Sequence, residues 1–410
     1  MASIGDIDGD GVNDLLAGAP WNRDTNPGGA YTGAGAAYIL FMKEDGTARA
    51  SQAISGVYGG LNDSYVLDES DNFGWAAAGL GDLDGDGVPD IVVGAPGDTS
   101  VSPEFSAVQS GATSWSNTGA LYILFLTRSG TVRTAQKICF AAENCANLTG
   151  TMASFFSRRC GYGYFGYSVA NIGDIDSDGV VDLAVGANYA LNGQGLVYIL
   201  MLDANGEVKK AQVLCGSQTN PGDGCGVGGV GNLGFEYDTI QFGTAVSAMG
   251  DFDGNGVTDL LVGAKNFDID KGAVYLVMME SSGISTGTFS VFSSSNGVGD
   301  FYELVSYSYF GIALAGTGDL DNDGVLDFVT TGTSPHGTVG CIYFIYLNGN
   351  GTIREMYRSS ETDGNLPMEF PSGGHKGYQD FSSIAILPNL GTYHGNGMFE
   401  VVLGSPVRIG

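Results

Sequence analysis

Phe73-Gly74, then AAAGL over 76–80, GDLDGDGVPD over 81–90, IVVGAP over 91–96 and GALYILFL over 119–126: this stretch decides the fold, because it returns along the whole chain. The Gly-Asp-x-Asp segment recurs at Asp6, Asp82, Asp174, Asp251 and Asp319. A Phe-Gly pair stands nine residues before each of the last four, at Phe73, Phe165, Phe242 and Phe310. The spacings of 76, 92, 77 and 68 residues exceed any solenoid rung and match one four-stranded propeller blade with its loops. An unrelated β-sandwich would need no such repeat.

Each unit parses into four strands. The first follows Phe-Gly and ends at an acidic loop. The second (DLLAGAP, DIVVGAP, DLAVGA, DLLVGA, DFVTTG) and third (AAYILFM, ALYILFL, LVYILML, AVYLVMM, CIYFIYL) are continuously apolar, as strands buried on both faces are. The fourth (ARASQAI, VRTAQKI, VKKAQVL) is polar enough for an outer edge. Turn sequences EDG, RSG, ANG and GNG join the third to the fourth, and they supply the positive φ of a hairpin.

The expected fold is an all-β propeller of four-stranded antiparallel blades. The units fall at about 1–60, 61–140, 141–215, 216–292, 293–358 and 359–410, all within one domain spanning 1–410. The sixth is degenerate: Phe381 begins a strand, and Glu400 to Pro406 imitates DLLAGAP. Met1 falls late in the first unit's first strand, and its Phe-Gly pair is missing, so both ends would supply a second strand. The chain therefore reads as a fragment of a six- or seven-bladed parent.

Composition agrees with many short strands and tight turns, with 68 Gly and 11 Pro and with Tyr and Phe at 20 and 21. No apolar run approaches a membrane helix, and MASIGDIDGDG is not a secretory signal. The net charge of −29 excludes nucleic acid as a partner. Of 45 acidic residues, 19 lie in the five loops; outside them 26 acids face 16 bases, leaving −10.

Those loops carry the chemistry. In Asp6-Ile7-Asp8-Gly9-Asp10-Gly11-Val12-Asn13-Asp14, oxygen side chains fill the first, third, fifth and ninth positions, and Gly11 permits the reversal that brings in the Val12 carbonyl. Calcium asks for six to eight oxygens. The equivalent ligand sets are Asp82, Asp84, Asp86, Val88 and Asp90; Asp174, Asp176, Asp178, Val180 and Asp182; Asp251, Asp253, Asn255, Val257 and Asp259; and Asp319, Asp321, Asp323, Val325 and Asp327. An EF-hand would place a Glu at the twelfth position, where Ala17 sits in an apolar strand. Neighbouring carboxylates repel by ~1–4 kcal/mol per pair, so about five calcium ions are expected, changing the net charge from −29 to −19. The sixth unit offers Thr392, His394, Asn396 and Glu400 and is expected to hold no ion.

Phe-Gly, Asp-x-Asp-x-Asp-Gly-x-x-Asp and Gly-Ala-Pro together resemble the FG-GAP repeats of integrin α-subunit propellers, and also the large FG-GAP proteins of bacteria and algae. The resemblance covers essentially the whole chain. It implies calcium on a lower face, in the loop between strands one and two. It also implies a binding platform for protein ligands on the upper face, made by the 2–3 and 4–1 loops. Loop lengths agree with that division: the long connections, 97–118, 139–164, 215–240 and 357–380, are all 2–3 or 4–1 loops. Trp115, Arg158, Arg159, Tyr162 and Tyr164 are the ligand-face candidates.

Cys139, Cys145 and Cys160 cluster in one loop and Cys215 and Cys225 bracket another, so two loop disulfides are expected, with Cys341 a buried thiol. Asn62, Asn147 and Asn350 begin glycosylation triplets. His336, His375 and His394 lie in no catalytic motif. The reading is a calcium-binding, non-enzymatic adhesion or ligand-recognition module, extracellular or at the cell surface. It would take an extracellular protein or glycan, with no nucleic acid and no membrane insertion, and further domains of a parent protein could adjoin it. The alternatives are a structural component of a surface or wall, and a calcium-dependent polysaccharide-active enzyme or lectin.

Overall fold

In a computed structural model of the chain, residues 1–22, 34–61, 65–99, 117–139, 163–215, 239–283, 285–298, 304–333, 340–360, 383–388 and 399–404 are described. They form five four-stranded antiparallel sheets, each a meander in chain order. The first holds β1 (Ala2–Gly5), β2 (Asp14–Ala19), β3 (Ala36–Met42) and β4 (Ala48–Ser55). The second holds β5 (Ala76–Gly81), β6 (Asp90–Ala95), β7 (Ala120–Leu126) and β8 (Val132–Cys139). The third holds β9 (Ser168–Asn171), β10 (Leu183–Ala187), β11 (Leu196–Leu202) and β12 (Val208–Cys215). The fourth holds β13 (Phe242–Gly250), β14 (Asp259–Ala264), β15 (Ala273–Met279) and β16 (Ser285–Ser293). The fifth holds β17 (Leu314–Gly318), β18 (Asp327–Thr333), β19 (Gly340–Leu347) and β20 (Ile353–Ser360).

The count of six blades is corrected to five. The sixth unit contributes only the pair β21 (Ser383–Pro388) and β22 (Phe399–Gly404), a first and second strand with no third or fourth beside them among the described residues. Blade one, by contrast, has its own first strand, β1 paired to β2. First strands touch from blade to blade, and β21 lies against both β17 and β1. The innermost strands therefore run round a closed circle whose sixth position is the two-stranded sheet.

The hydrophobic clusters lie between neighbouring blades, which explains the second and third strands. β6, β7, β14 and β15 are buried at every residue because each face meets a different blade. β4 instead exposes its first four residues, as an outer strand should.

The Phe-Gly pair is the joint. The Phe73, Phe165, Phe242 and Phe310 amides donate to carbonyls just before the third strand of the preceding blade, at Ala34, Thr118, Gln194 and Lys271, at 3.0–3.1 Å or 2.9 Å. Each ring is buried edge-on against a third-strand tyrosine of its own blade: Tyr122, Tyr198, Tyr275 and Tyr343, with centroids 5.4, 5.4, 5.4 and 5.2 Å apart, an arrangement that aromatic quadrupoles favour. The Gly of Gly-Ala-Pro completes the joint. A Cβ on Gly94, Gly186 or Gly263 would sit 2.2, 2.1 or 2.1 Å from the carbonyl oxygen of Gly166, Gly243 or Gly311 in the next blade. Close approach, not a left-handed φ, requires glycine at these three positions.

Among the described residues no helix is long and apolar enough to cross a membrane. Cys139 and Cys215 are disulfide-bonded, while Cys341 is a buried thiol outside any disulfide, as expected. Both half-cystines occupy the last position of a fourth strand, where the other blades carry the buried serines Ser55, Ser293 and Ser360.

Gly186→Ala is expected to lower the melting temperature, by the equivalent of about 1–3 kcal/mol of overpacking. Gly349→Ala, with open space around it, is expected to leave the temperature in place; calorimetry of the two variants checks this.

Candidate metal centres

Each acidic loop is organised by its own carboxylates. The first-position Asp accepts the backbone N–H groups that turn the chain: Asp6 takes Gly9, Asp10 and Gly11 at 2.7, 3.0 and 2.8 Å. Asp174, Asp251 and Asp319 each repeat the last two of these bonds, and Asp82 accepts from Gly87 at 2.8 Å. The fifth-position side chain accepts the valine N–H two residues on, at 2.7–3.0 Å in every loop.

The ninth-position Asp has a part that spacing did not reveal. Asp14, Asp90, Asp182, Asp259 and Asp327 are fully buried. One oxygen of each accepts the N–H of the second loop residue (Ile7, Leu83, Ile175, Phe252, Leu320) at 2.8–3.0 Å. The other accepts the last N–H of the third strand (Met42, Leu126, Leu202, Met279, Leu347) at 2.8–3.0 Å. These five side chains clasp the loop to its blade. Burial pushes the Asp90, Asp182 and Asp259 carboxyls up to about 6, against the two backbone donors that pull each down, and it raises Asp14 and Asp327 as well.

Five groups of carboxylates lie with ligand oxygens within 4.8 Å of one another: Asp6, Asp8 and Asp10; Asp82, Asp84 and Asp86; Asp174, Asp176 and Asp182; Asp251, Asp253 and Asp259; Asp319, Asp321 and Asp327. Each group gathers three of the expected carboxylates and could hold a metal ion; Asp14, Asp90, Asp178 and Asp323 fall outside these groups. One oxygen of Asp8 and one of Asp176 are buried without a hydrogen-bond partner. A bare buried carboxylate oxygen is costly, and a hard cation would satisfy it. The residues fit such an ion. Of the sixth loop, Thr392, His394 and Asn396 lie outside the described residues, as do His336 and His375 and the Asn62 and Asn147 triplets.

The opposite end of each blade carries the 2–3 and 4–1 connections. Trp115, Arg158, Arg159 and Tyr162 lie outside the described residues. Tyr164 is half-buried, its hydroxyl accepting from Asn117 at 2.9 Å and its ring edge-on to Tyr189 at 5.3 Å. Sequence reasoning missed an aromatic strip here. Trp21, which follows β2, meets Trp75 at 5.7 Å, and Trp75 meets Tyr167 at 5.1 Å. Trp21 and Tyr189 are 49% and 47% exposed. The available signal was the residue directly after Phe-Gly, Trp75 in one unit and Tyr167 in the next.

The stem of the long 97–118 connection is pinned from below. The Asp98 carbonyl accepts Gly119 N–H at 2.9 Å, and its carboxylate takes Lys137 Nζ at 2.6 Å and the Tyr122 hydroxyl at 2.9 Å. Asp71 lies beside them; burial first, then the charge of Asp98, push its carboxyl up to about 7. An ordinary unfolded-state value is near ~3.9, so the folded state holds this proton where the unfolded chain has lost it. The stabilisation that protonation provides disappears as pH rises through about 7. Asp71→Asn is therefore expected to raise the melting temperature relative to wild type above pH 7, and to raise it less at pH 5; a pH series of melting curves checks the sign.

The FG-GAP repeat family matches residues 2–40, 73–124, 165–200 and 242–277. The chain is 31% identical to integrin alpha-3 of Cricetulus griseus over 250 residues, covering 61% of this chain and 18% of that protein. It is 27% identical to integrin alpha pat-2 of Caenorhabditis briggsae over 264 residues (64% and 17%), and 30% identical to integrin alpha-4 of Xenopus laevis over 194 residues (46% and 14%). It thus spans less than a fifth of the length of these relatives. Residues 310–347 lie beyond the four matched stretches, yet they repeat the Phe-Tyr stack and the acidic clasp. Repeats, blades and relatives agree: the chain is an FG-GAP repeat β-propeller of the integrin α-subunit type.

Proposed function

We propose that the chain is a calcium-loaded recognition module of an extracellular or cell-surface protein, binding an extracellular protein or glycan on the face opposite its acidic loops. The observation that carries the metal half is the recurrence of one all-oxygen arrangement in five loops, with a partnerless buried oxygen in two of them. In each loop the first, third, fifth and ninth side chains, with the carbonyl of Val12, Val88, Val180, Val257 or Val325, would form the ligand set. Bound calcium would supply positive charge that joins the loop's carboxylates and ties strand one to strand two.

The observation that carries the ligand half is the strip of Trp21, Trp75 and Tyr167 together with the Tyr164–Tyr189 pair, Trp21 and Tyr189 being about half exposed. Rigid aromatic side chains carry a large part of binding energy at interfaces. The relatives are integrin α subunits, which supports recognition over catalysis.

Metal analysis of the purified protein should find about five calcium ions per chain. Excess chelator should lower the melting temperature, because an ion that binds only the native state stabilises it by mass action. A melting curve unmoved after the metal is shown to be gone overturns the calcium reading.

For the ligand face, the probe is a panel of extracellular proteins and glycans with calcium present. Trp21→Ala and Tyr189→Ala should cost about 2 kcal/mol or more of affinity for whatever binds, at nearly constant melting temperature. Asp84→Ala should show the opposite pattern, losing stability first. Retained affinity in both aromatic variants places the binding surface elsewhere.

A further inference from the structure

The fourth strand of each blade begins with a bulge next to the acidic loop, and what stands in that bulge varies together with the loop. In blade one, Met42 pairs with Ala48 and Phe41 with Ala50, leaving Arg49 as the extra residue. Arg133, Lys209 and Arg354 hold the same place in blades two, three and five. A bulge turns its extra side chain out of the ladder's alternation. All four cations reach the loop: Arg49 pairs with Asp8 and Asp10, Arg133 with Asp84 and Asp86, Lys209 with Asp176 and Asp178, and Arg354 with Asp321 and Asp323. These are always the third and fifth loop positions.

Blade four departs at both places. Its fifth loop position is Asn255, whose amide donates to the Met279 carbonyl at 2.8 Å. Its bulge is wider: Met279 pairs with Ser285 and Val277 with Phe289, leaving Thr286, Gly287 and Thr288 opposite Met278, and none of the three is a cation; Thr286, next to Ser285, stands nearest the place of Arg49. Among the described residues no Lys or Arg makes an ion pair with Asp251, Asp253 or Asp259. The two departures cancel. Counting only loop carboxylates and the bulge residue, four carboxylates less one cation leave −3 in four blades, and three carboxylates with no cation also leave −3 in blade four; Arg128, which donates to the Gly87 carbonyl at 3.1 Å, is a further cation at the second loop.

We infer that the bulge residue of the fourth strand is a tethered counter-ion that sets the charge each loop presents to a divalent cation, with Thr286 and Asn255 forming a compensating pair. Resting on the calcium reading above, this makes Arg49, Arg133, Lys209 and Arg354 determinants of affinity that are not ligands. In at least two loops the cation also orients the third-position carboxylate: Arg49 and Lys209 hold one oxygen of Asp8 and of Asp176, and the other oxygen is the one left buried and partnerless. Outer partners of this kind tune a metal through the ligand they hold. Without metal, the same cations relieve the repulsion among carboxylates a few ångströms apart.

Blade four supplies the test, with the other four loops as internal reference. Calcium affinity is read by competition with a chromophoric chelator, and the metal-free melting temperature is read in excess chelator. Asn255→Asp should tighten one site about tenfold, the scale of one added charge near a divalent ion, and lower the metal-free melting temperature. Thr286→Arg should weaken one site about tenfold. The double variant N255D/T286R should return both quantities to near wild type. Arg133→Gln should act like Asn255→Asp, at a second loop. If each single variant matches wild type in both readouts, or the double variant keeps the low metal-free melting temperature of Asn255→Asp, the counter-ion role is overturned. A wild-type protein that takes up no calcium overturns the calcium reading instead, and the metal-free melting series then decides the pairing by itself.

Discussion

The whole ring rests on a backbone-to-backbone contact between neighbouring blades. The glycine of the second strand faces the Phe-Gly carbonyl of the next blade at a distance no Cβ could share, and the adjoining phenylalanine amide is hydrogen-bonded back across the same seam. With the backbones that close, the phenylalanine ring reaches the third-strand tyrosine of its own blade, and the remaining apolar side chains of strands two and three close the core on both sides. The two parts of the repeat motif, more than twenty residues apart within a unit, are thus the two halves of one joint, made between units.

The acidic loops hang from this frame by a buried carboxylate. One oxygen of the ninth-position Asp ties down the loop and the other ties down the end of the third strand, in every complete blade. The loop cannot drift from the sheet without leaving that carboxylate buried and unsatisfied. Its remaining side chains are held by the turn's own N–H groups and, in four blades, by a cation from the fourth strand. Backbone bonds thus hold the acidic side chains of each loop in an arrangement that could take a metal ion.

The opposite face is built by different means. Its strip of Trp21, Trp75 and Tyr167 crosses three blades, each ring supplied by a residue next to a joint, so the frame that closes the ring also brings these rings together. Beside it, Asp98 fastens the mouth of a long connection with a lysine and a tyrosine from the strands beneath. Rigid strands thereby carry the surface on which loops can vary, while the acidic loops, fastened to the other end, keep one length and one clasp from blade to blade.

The repeat, the four-stranded blade, the burial of strands two and three and the acidic clusters were all legible in the sequence, because each depends on residues close together in one unit and is written several times over. Period and spacing report such local constraints directly. The number of complete blades was not legible in the same way: whether a unit is a blade depends on strands pairing, and the sixth unit's Glu400 to Gly404 reads like a second strand whether or not a third lies beside it. The clasp by the ninth-position Asp, the aromatic strip and the cation in the fourth-strand bulge were also hidden. Each joins residues some twenty to ninety positions apart, and only tertiary structure, by stacking one blade on the next and folding strand four back along strand three, brings them within bonding distance.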